Sequence, residues 1–263
     1  MHFVPAVRSE WVKFRTVRST LYALATTIAL CVGFGAIVSF AQRQHWTQET
    51  GVEHLAFDAT ATSLSGFFFA EIAIGVIGVL IVSSEYSSGL IRATLSATPR
   101  RLWVLVAKAV VLFAVSIVVG ELCSFVSFFV GQSIMRGVTP TATLSTPGAL
   151  RAVVLAGVAL ALLAQFALGI GTMLRHTAGA ITVYVSVLLV LLLIAFALPS
   201  SWSHHVYRWL PQVLAEEMQS TNTTSATTQF GNVFSPIVSM VVLACYAMAS
   251  LVGGAVSLVR RDA

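Results

Sequence analysis

The sequence predicts an all-helical membrane protein with six transmembrane helices in one domain. Three observations carry this. The chain is 57% hydrophobic and only 10% charged, with mean hydropathy +0.89, whereas a soluble domain carries about 25% charged residues. Several apolar runs of about 20 residues are each long enough to cross a bilayer. The basic residues sit at the ends of those runs, so the net charge of +5 belongs to membrane topology, and no nucleic-acid partner is expected. Cys31, Cys123 and Cys245 all fall inside apolar runs without paired spacing. They read as small buried hydrophobes, not a disulfide framework or metal site.

Residues 3–19 precede the first span. Phe3, Val7, Trp11 and Phe14 share one helical face, with Arg8, Lys13, Arg15 and Arg18 as the basic complement. This spacing predicts an interfacial helix lying on anionic lipid, with Trp11 at headgroup level. The first apolar run begins late and lacks an A-x-A site, so it reads as a span and not a cleaved signal. Spans are predicted over about 20–41, 64–82, 102–132, 149–173, 178–198 and 235–258. Gln42 to Ser63 carries Glu49, Glu53 and Asp58 against Arg43 and reads as an outside loop. Lys108, near the start of span three, is expected to snorkel. Arg175 and His176 form a tight turn between spans four and five. Residues 199–234 form the outer segment, in which WSHHVYRWLPQVLAEEM reads as a short helix riding the outer interface. A flexible Ser/Thr/Asn tract follows it.

An even number of spans places both termini on one side. Eleven of the 15 lysines and arginines fall on that side, and four (Arg43, Arg136, Arg151 and Arg208) on the other. The excess puts the termini in the cytosol.

The stretch SSEYSSGLIRATLSATPRR, from Ser83 to Arg101, separates spans two and three. Ser84 can cap a helix start, with Glu85 in its first turn. Tyr86, Leu90, Ile91, Thr94 and Leu95 recur at helical spacing, and Pro99 ends the pattern. A cytosolic amphipathic helix over 83–99 is expected. The spacing alone leaves open whether its apolar stripe meets a soluble partner or lies on lipid headgroups.

The chain has no G-x-x-x-x-G-K-[ST] loop; its two lysines, Lys13 and Lys108, do not follow glycine. It therefore lacks the usual phosphate cradle, and ATP use of that type, if any, must come from another polypeptide. The six histidines form no H-E-x-x-H motif, and no catalytic or metal site is expected. Glu71 and Glu121 lie within spans and should face a bundle interior or wet cavity, with Gln165 as a milder case. Two readings stay open for them: a polar lining for a solute path or a subunit interface; or local hydrogen bonds that tie helices together, or protonated acids. Gly33, Gly35, Gly75, Gly78, Gly169, Gly171, Gly253 and Gly254 are expected to allow close helix approach.

Taken together, the basic opening RSEWVKFRTVRST, the six spans, the Ser83–Arg101 stretch and the long outer segment resemble an ABC-2-type transporter permease of actinobacterial type. That is the membrane subunit of an ATP-binding-cassette system. The run Glu85-Tyr86-Ser87-Ser88-Gly89-Leu90-Ile91-Arg92 is the most specific part. The resemblance implies that this stretch is a coupling helix docking on a separate ATPase subunit, which would hold the ATP and Mg; no cofactor is expected in this chain. Tyr86, Ile91 and Leu95 would form the apolar knob, with Thr94 beside them. Glu85 and Arg92 would set orientation, and Gly89 would permit a bend. The N-terminal helix, with Trp11, Lys13, Arg15 and Arg18, would border the same contact. The resemblance also implies a second permease copy or paralogue, a bacterial plasma membrane and export. Two rivals remain: a membrane protein that recruits a cytosolic partner without transport, and an ion-coupled carrier working through Glu71 and Glu121.

Overall fold

Span four, Ala149–Leu174, is the post against which spans two, three and six pack. Its sequence explains the role. Ala152, Ala156, Gly157, Ala159, Ala161, Ala164, Ala167, Gly169 and Gly171 leave a nearly smooth rod, and all are buried. Small residues let helix backbones approach closely where lipid offers no hydrophobic drive for association. A methyl group placed on Gly78 of span two would lie 2.6 Å from the Ala164 carbonyl oxygen, and one on Gly120 of span three 2.7 Å from that of Gly157.

The computed structural model describes residues 3–48, 51, 54, 57–90, 101–221 and 233–260, without the side chains of Phe3, Arg101, Ser200, Ser201 and His204. All regular structure among them is helical. Six helices are long and apolar enough to cross a bilayer: Arg18–Gln48, Phe67–Ser87, Leu102–Met135, Ala149–Leu174, Thr177–Ala197 and Pro236–Arg260. Spans one, five and six sit at the periphery. Large apolar side chains such as Ile37, Val118, Phe129, Leu193 and Val252 are more than half exposed, a belt suited to lipid and not to water. The chain is an all-helical multi-pass membrane protein.

Several boundaries differ from the sequence reading. Span two does not stop at Val82 but continues to Ser87. Ser84 is therefore not the cap of a new helix; its hydroxyl donates back to the Leu80 carbonyl at 2.6 Å, a common use of serine inside a helix. The helix then ends on Ser88 and Gly89, whose φ of +73° favours glycine. Residues 91–100, and with them Ile91, Arg92, Thr94, Leu95 and Pro99, lie outside the described residues. Span three runs 35 residues from Arg101 to Met135, about 52 Å at 1.5 Å per residue, which exceeds a ~30 Å hydrocarbon core. The segment read as an outside loop contains a short helix, Ala59–Leu64, capped by Asp58, whose carboxylate accepts from the Thr60 and Ala61 amides. Span five is interrupted by a π-helical turn, Ser186–Val190. Cys31 and Cys123 are buried as expected, but Cys245 is exposed on span six.

The outer segment also departs from expectation. It forms two helices, Ser200–Val206 and Pro211–Met218, because Pro211 cannot continue the first but fits the opening of the second. The second helix turns one face inward. Pro211, Gln212, Val213, Leu214, Ala215 and Met218 are buried, and the helix packs on spans four and six.

Candidate functional sites at the two ends of the bundle

Antiparallel succession of the spans sorts polar contacts into two groups. At one end lie the N-terminal helix Phe3–Thr16, the end of span two, the start of span three and the turn between spans four and five. There Lys108 is 2% exposed, and its ammonium donates to Glu10 Oε2 at 2.8 Å, to Glu85 Oε1 at 2.7 Å and to the Ile81 carbonyl at 3.4 Å. Lys13 donates to Glu10 Oε1 and to Glu85 Oε1, both at 2.8 Å. Two lysines and two glutamates, formally neutral, thus join three segments. Lys108 does not snorkel: its three protons are met inside the bundle, which removes the reason to reach for water. Burial pulls the Lys13 ammonium down, but hydrogen bonds and attraction to Glu10 and Glu85 outweigh it and hold the group above its ordinary 10.5. Its share of stability is therefore complete below pH 10.5 and lost only as pH rises beyond that.

Close by, the Arg175 guanidinium sits 5.2 Å from the centre of the Tyr86 ring, within cation–π range, and donates to the Ser257 carbonyl at 2.7 Å. Thr177 donates to Ser83 Oγ at 3.0 Å. The end of span two is thereby tied to spans three, five and six. Gly89 follows these contacts with a φ of +73°, and Leu90 beyond it is 60% exposed. Trp11, Arg15 and Arg18 are exposed, while Glu10 on the same segment turns inward.

At the opposite end the polar network is built around Glu71 and Asp58. Glu71 is fully buried. It accepts from Gln212 Nε2 at 2.7 Å and Gln219 Nε2 at 3.0 Å, and its backbone carbonyl accepts from the Tyr184 hydroxyl at 2.7 Å. Asp58 Oδ2 accepts from the Thr221 amide and hydroxyl, and Arg151 donates to the Ser220 and Thr221 carbonyls. The segment between spans five and six is thus clamped onto spans two and four. The other two members of the expected polar lining face different neighbours. Glu121 is partly buried against Gly157, and Gln165 donates to the Ala109 carbonyl at 3.1 Å. Glu71 and Gln165 both make hydrogen bonds between elements of the bundle.

Glu217, on the helix Pro211–Met218, is pushed up to about 7, first by burial and then by the charge of Glu216. Between its ordinary 4.5 and about 7 the fold retains a proton that the unfolded chain has released, so this group makes stability fall as pH rises through that window. Glu217→Gln is expected to remove that part of the slope, read as the difference between the two proteins' unfolding midpoints from pH 4 to pH 8.

Sequence reasoning missed Glu10, Asp58, Gln212 and Gln219. Glu10 carried a usable signal, since it stands three residues before Lys13, a helical ion-pair spacing. The two glutamines carried none, because their partner lies over 140 residues away. No family model matches the chain, and no curated protein matches it.

Proposed function

We propose that this chain is the membrane-spanning permease subunit of an ATP-binding-cassette transporter of the ABC-2 type. In this reading it is an exporter in a bacterial plasma membrane, with both termini cytosolic. It pairs with a second permease copy or paralogue. A separate ATPase subunit, carrying ATP and Mg, docks on the stretch from Tyr86 to Leu95; Glu85, expected to set its orientation, is instead buried and engaged by Lys13 and Lys108. The observation that carries the reading is the four-charge joint in which buried Glu10, Glu85 and Lys108 meet half-exposed Lys13. It lies where the proposed docking stretch leaves span two. Force applied beyond Gly89 would reach the N-terminal helix and spans two and three together, because one balanced cluster holds all three. Coupling then requires only that the ATPase contact this stretch differently in its two nucleotide states. The sequence supports the division of labour, since this chain has no nucleotide loop of its own.

The test is purification from native membrane, followed by ATPase and transport assays. A soluble ATPase is expected to co-purify. Ile91→Asp combined with Leu95→Asp is expected to release it and abolish ATP-dependent transport while the protein stays folded. Retention of an ATP-driven function by that double variant, or co-purification of a partner that never hydrolyses ATP, overturns the reading.

A further inference from the structure

A cavity of about 550 Å³ opens on the side of the bundle, at the end away from the N-terminal helix. Phe166 of span four, Leu191 of span five, Tyr246 of span six, and Trp202, His205 and Trp209 of the outer segment line it. We infer that it is a binding site for the single acyl chain of a lipid-like amphiphile, with the polar head held at the rim by the Trp202–His205–Trp209 edge.

Four observations support that occupant. The volume falls within the roughly 300–1,000 Å³ of small-molecule sites. The lining is almost wholly apolar, and the Tyr246 hydroxyl is already committed to the Trp209 carbonyl at 3.0 Å. Ordered water would find few partners, and apolar cavities of this kind take apolar guests. The mouth is framed by Leu191, Val206 and Trp202, which are 40%, 37% and 68% exposed, on the same periphery as Leu193 and Ile194. The medium that reaches it is therefore lipid tail. Trp and His at the end of a span are amphipathic groups suited to the headgroup level, which fixes which end of the guest points outward.

The inner wall explains why the space exists. Val187 belongs to the π-helical turn Ser186–Val190, and Leu191 follows it directly. Such a turn widens a helix locally and often marks a working site. The far wall is Leu210 and Pro211, and the next residue, Gln212, donates to Glu71. A guest in the cavity would therefore press on the break that positions the Glu71 clamp.

The test uses the full chain in phosphatidylcholine vesicles with a trace of palmitoyl lysophosphatidylcholine bearing a diazirine at the chain end. After illumination, labelled residues are mapped by peptide mass spectrometry. Label is expected to concentrate on Val187 and Phe166, away from the rim. A small mole fraction of unlabelled palmitoyl lysophosphatidylcholine should remove it there while leaving Ile37, Val118 and Leu193 unaffected, since bulk lipid occupies those. Val187→Trp or Leu191→Trp fills the cavity and should lower the pocket label by about tenfold or more, as overpacking of over 1.4 kcal/mol would. Should a filled variant fail to fold, competition on the unaltered chain decides. Even labelling of all exposed apolar faces, label that does not compete, or crosslinks to a second copy in place of the probe overturns the inference. No ATPase enters the assay, so its outcome is independent of the proposed transport function.

Discussion

Lys108→Met is expected to destabilise the protein by about 3–5 kcal/mol, the usual cost of removing one partner from a buried ion pair. Lys108 is 2% exposed, and its loss leaves the Glu10 and Glu85 carboxylates sharing Lys13 alone, with one uncompensated charge inside the bundle. Lys13→Met should cost much less, about 1 kcal/mol, because that side chain is 43% exposed and water replaces part of what it gives up. Adding Glu85→Leu to Lys108→Met restores charge balance and should recover most of the loss, since apolar groups of similar volume often replace a buried pair without penalty. Equilibrium unfolding in detergent micelles measures all three. Equal effects of Lys13→Met and Lys108→Met would remove the argument for a buried joint. The double variant also separates structure from function. If the joint transmits movement from an ATPase docked as proposed, a stable Lys108→Met/Glu85→Leu protein should still bind that ATPase but couple poorly to it.

Gly66→Ala should be nearly as damaging, at about 3 kcal/mol or more. A methyl at Gly66 would overlap the Cys31 carbonyl oxygen and approach the Gly35 amide nitrogen at 2.9 Å. Both are backbone atoms of span one, which cannot rotate away as a side chain would, so the crossing of spans one and two must open. The backbone at Gly66 is ordinary, with φ −67°, so the effect is purely one of contact. Gly33→Ala is the control. Nothing lies within 4 Å of a methyl there, and replacing a mid-helix glycine with alanine should stabilise by up to about 1 kcal/mol. The pair is read by thermal unfolding of both variants beside the unaltered chain. Similar shifts for the two would show that helix propensity, and not the crossing, sets the result.

These two glycines show where the sequence stops informing. Gly33 was expected to mark a close approach and meets nothing; Gly66 and Gly120 were not singled out and lie at tight crossings. Composition says that small residues permit contact, but a neighbour's position decides which glycine is used. The charged residues behave likewise. Lys108 and Glu85 looked like surface groups because their local sequence is polar or lies at a span end. Their burial follows from the N-terminal helix folding back to bring Glu10 and Lys13 alongside.

What the sequence determined by itself is the solvent this protein lives in and the number of helices long and apolar enough to cross it. Runs of about 20 apolar residues with few charges have no other stable destination, and backbone hydrogen bonding within lipid leaves them only the helix. That information is local, repeated along the chain and independent of any neighbour. What only the tertiary structure decided is the partnering of rare polar groups: Glu10 and Glu85 with both lysines, Glu71 with Gln212 and Gln219, and Asp58 with Thr221. A buried charge or amide must find a complement wherever packing places one, and residues up to 163 positions apart along the chain leave no periodicity that announces the meeting.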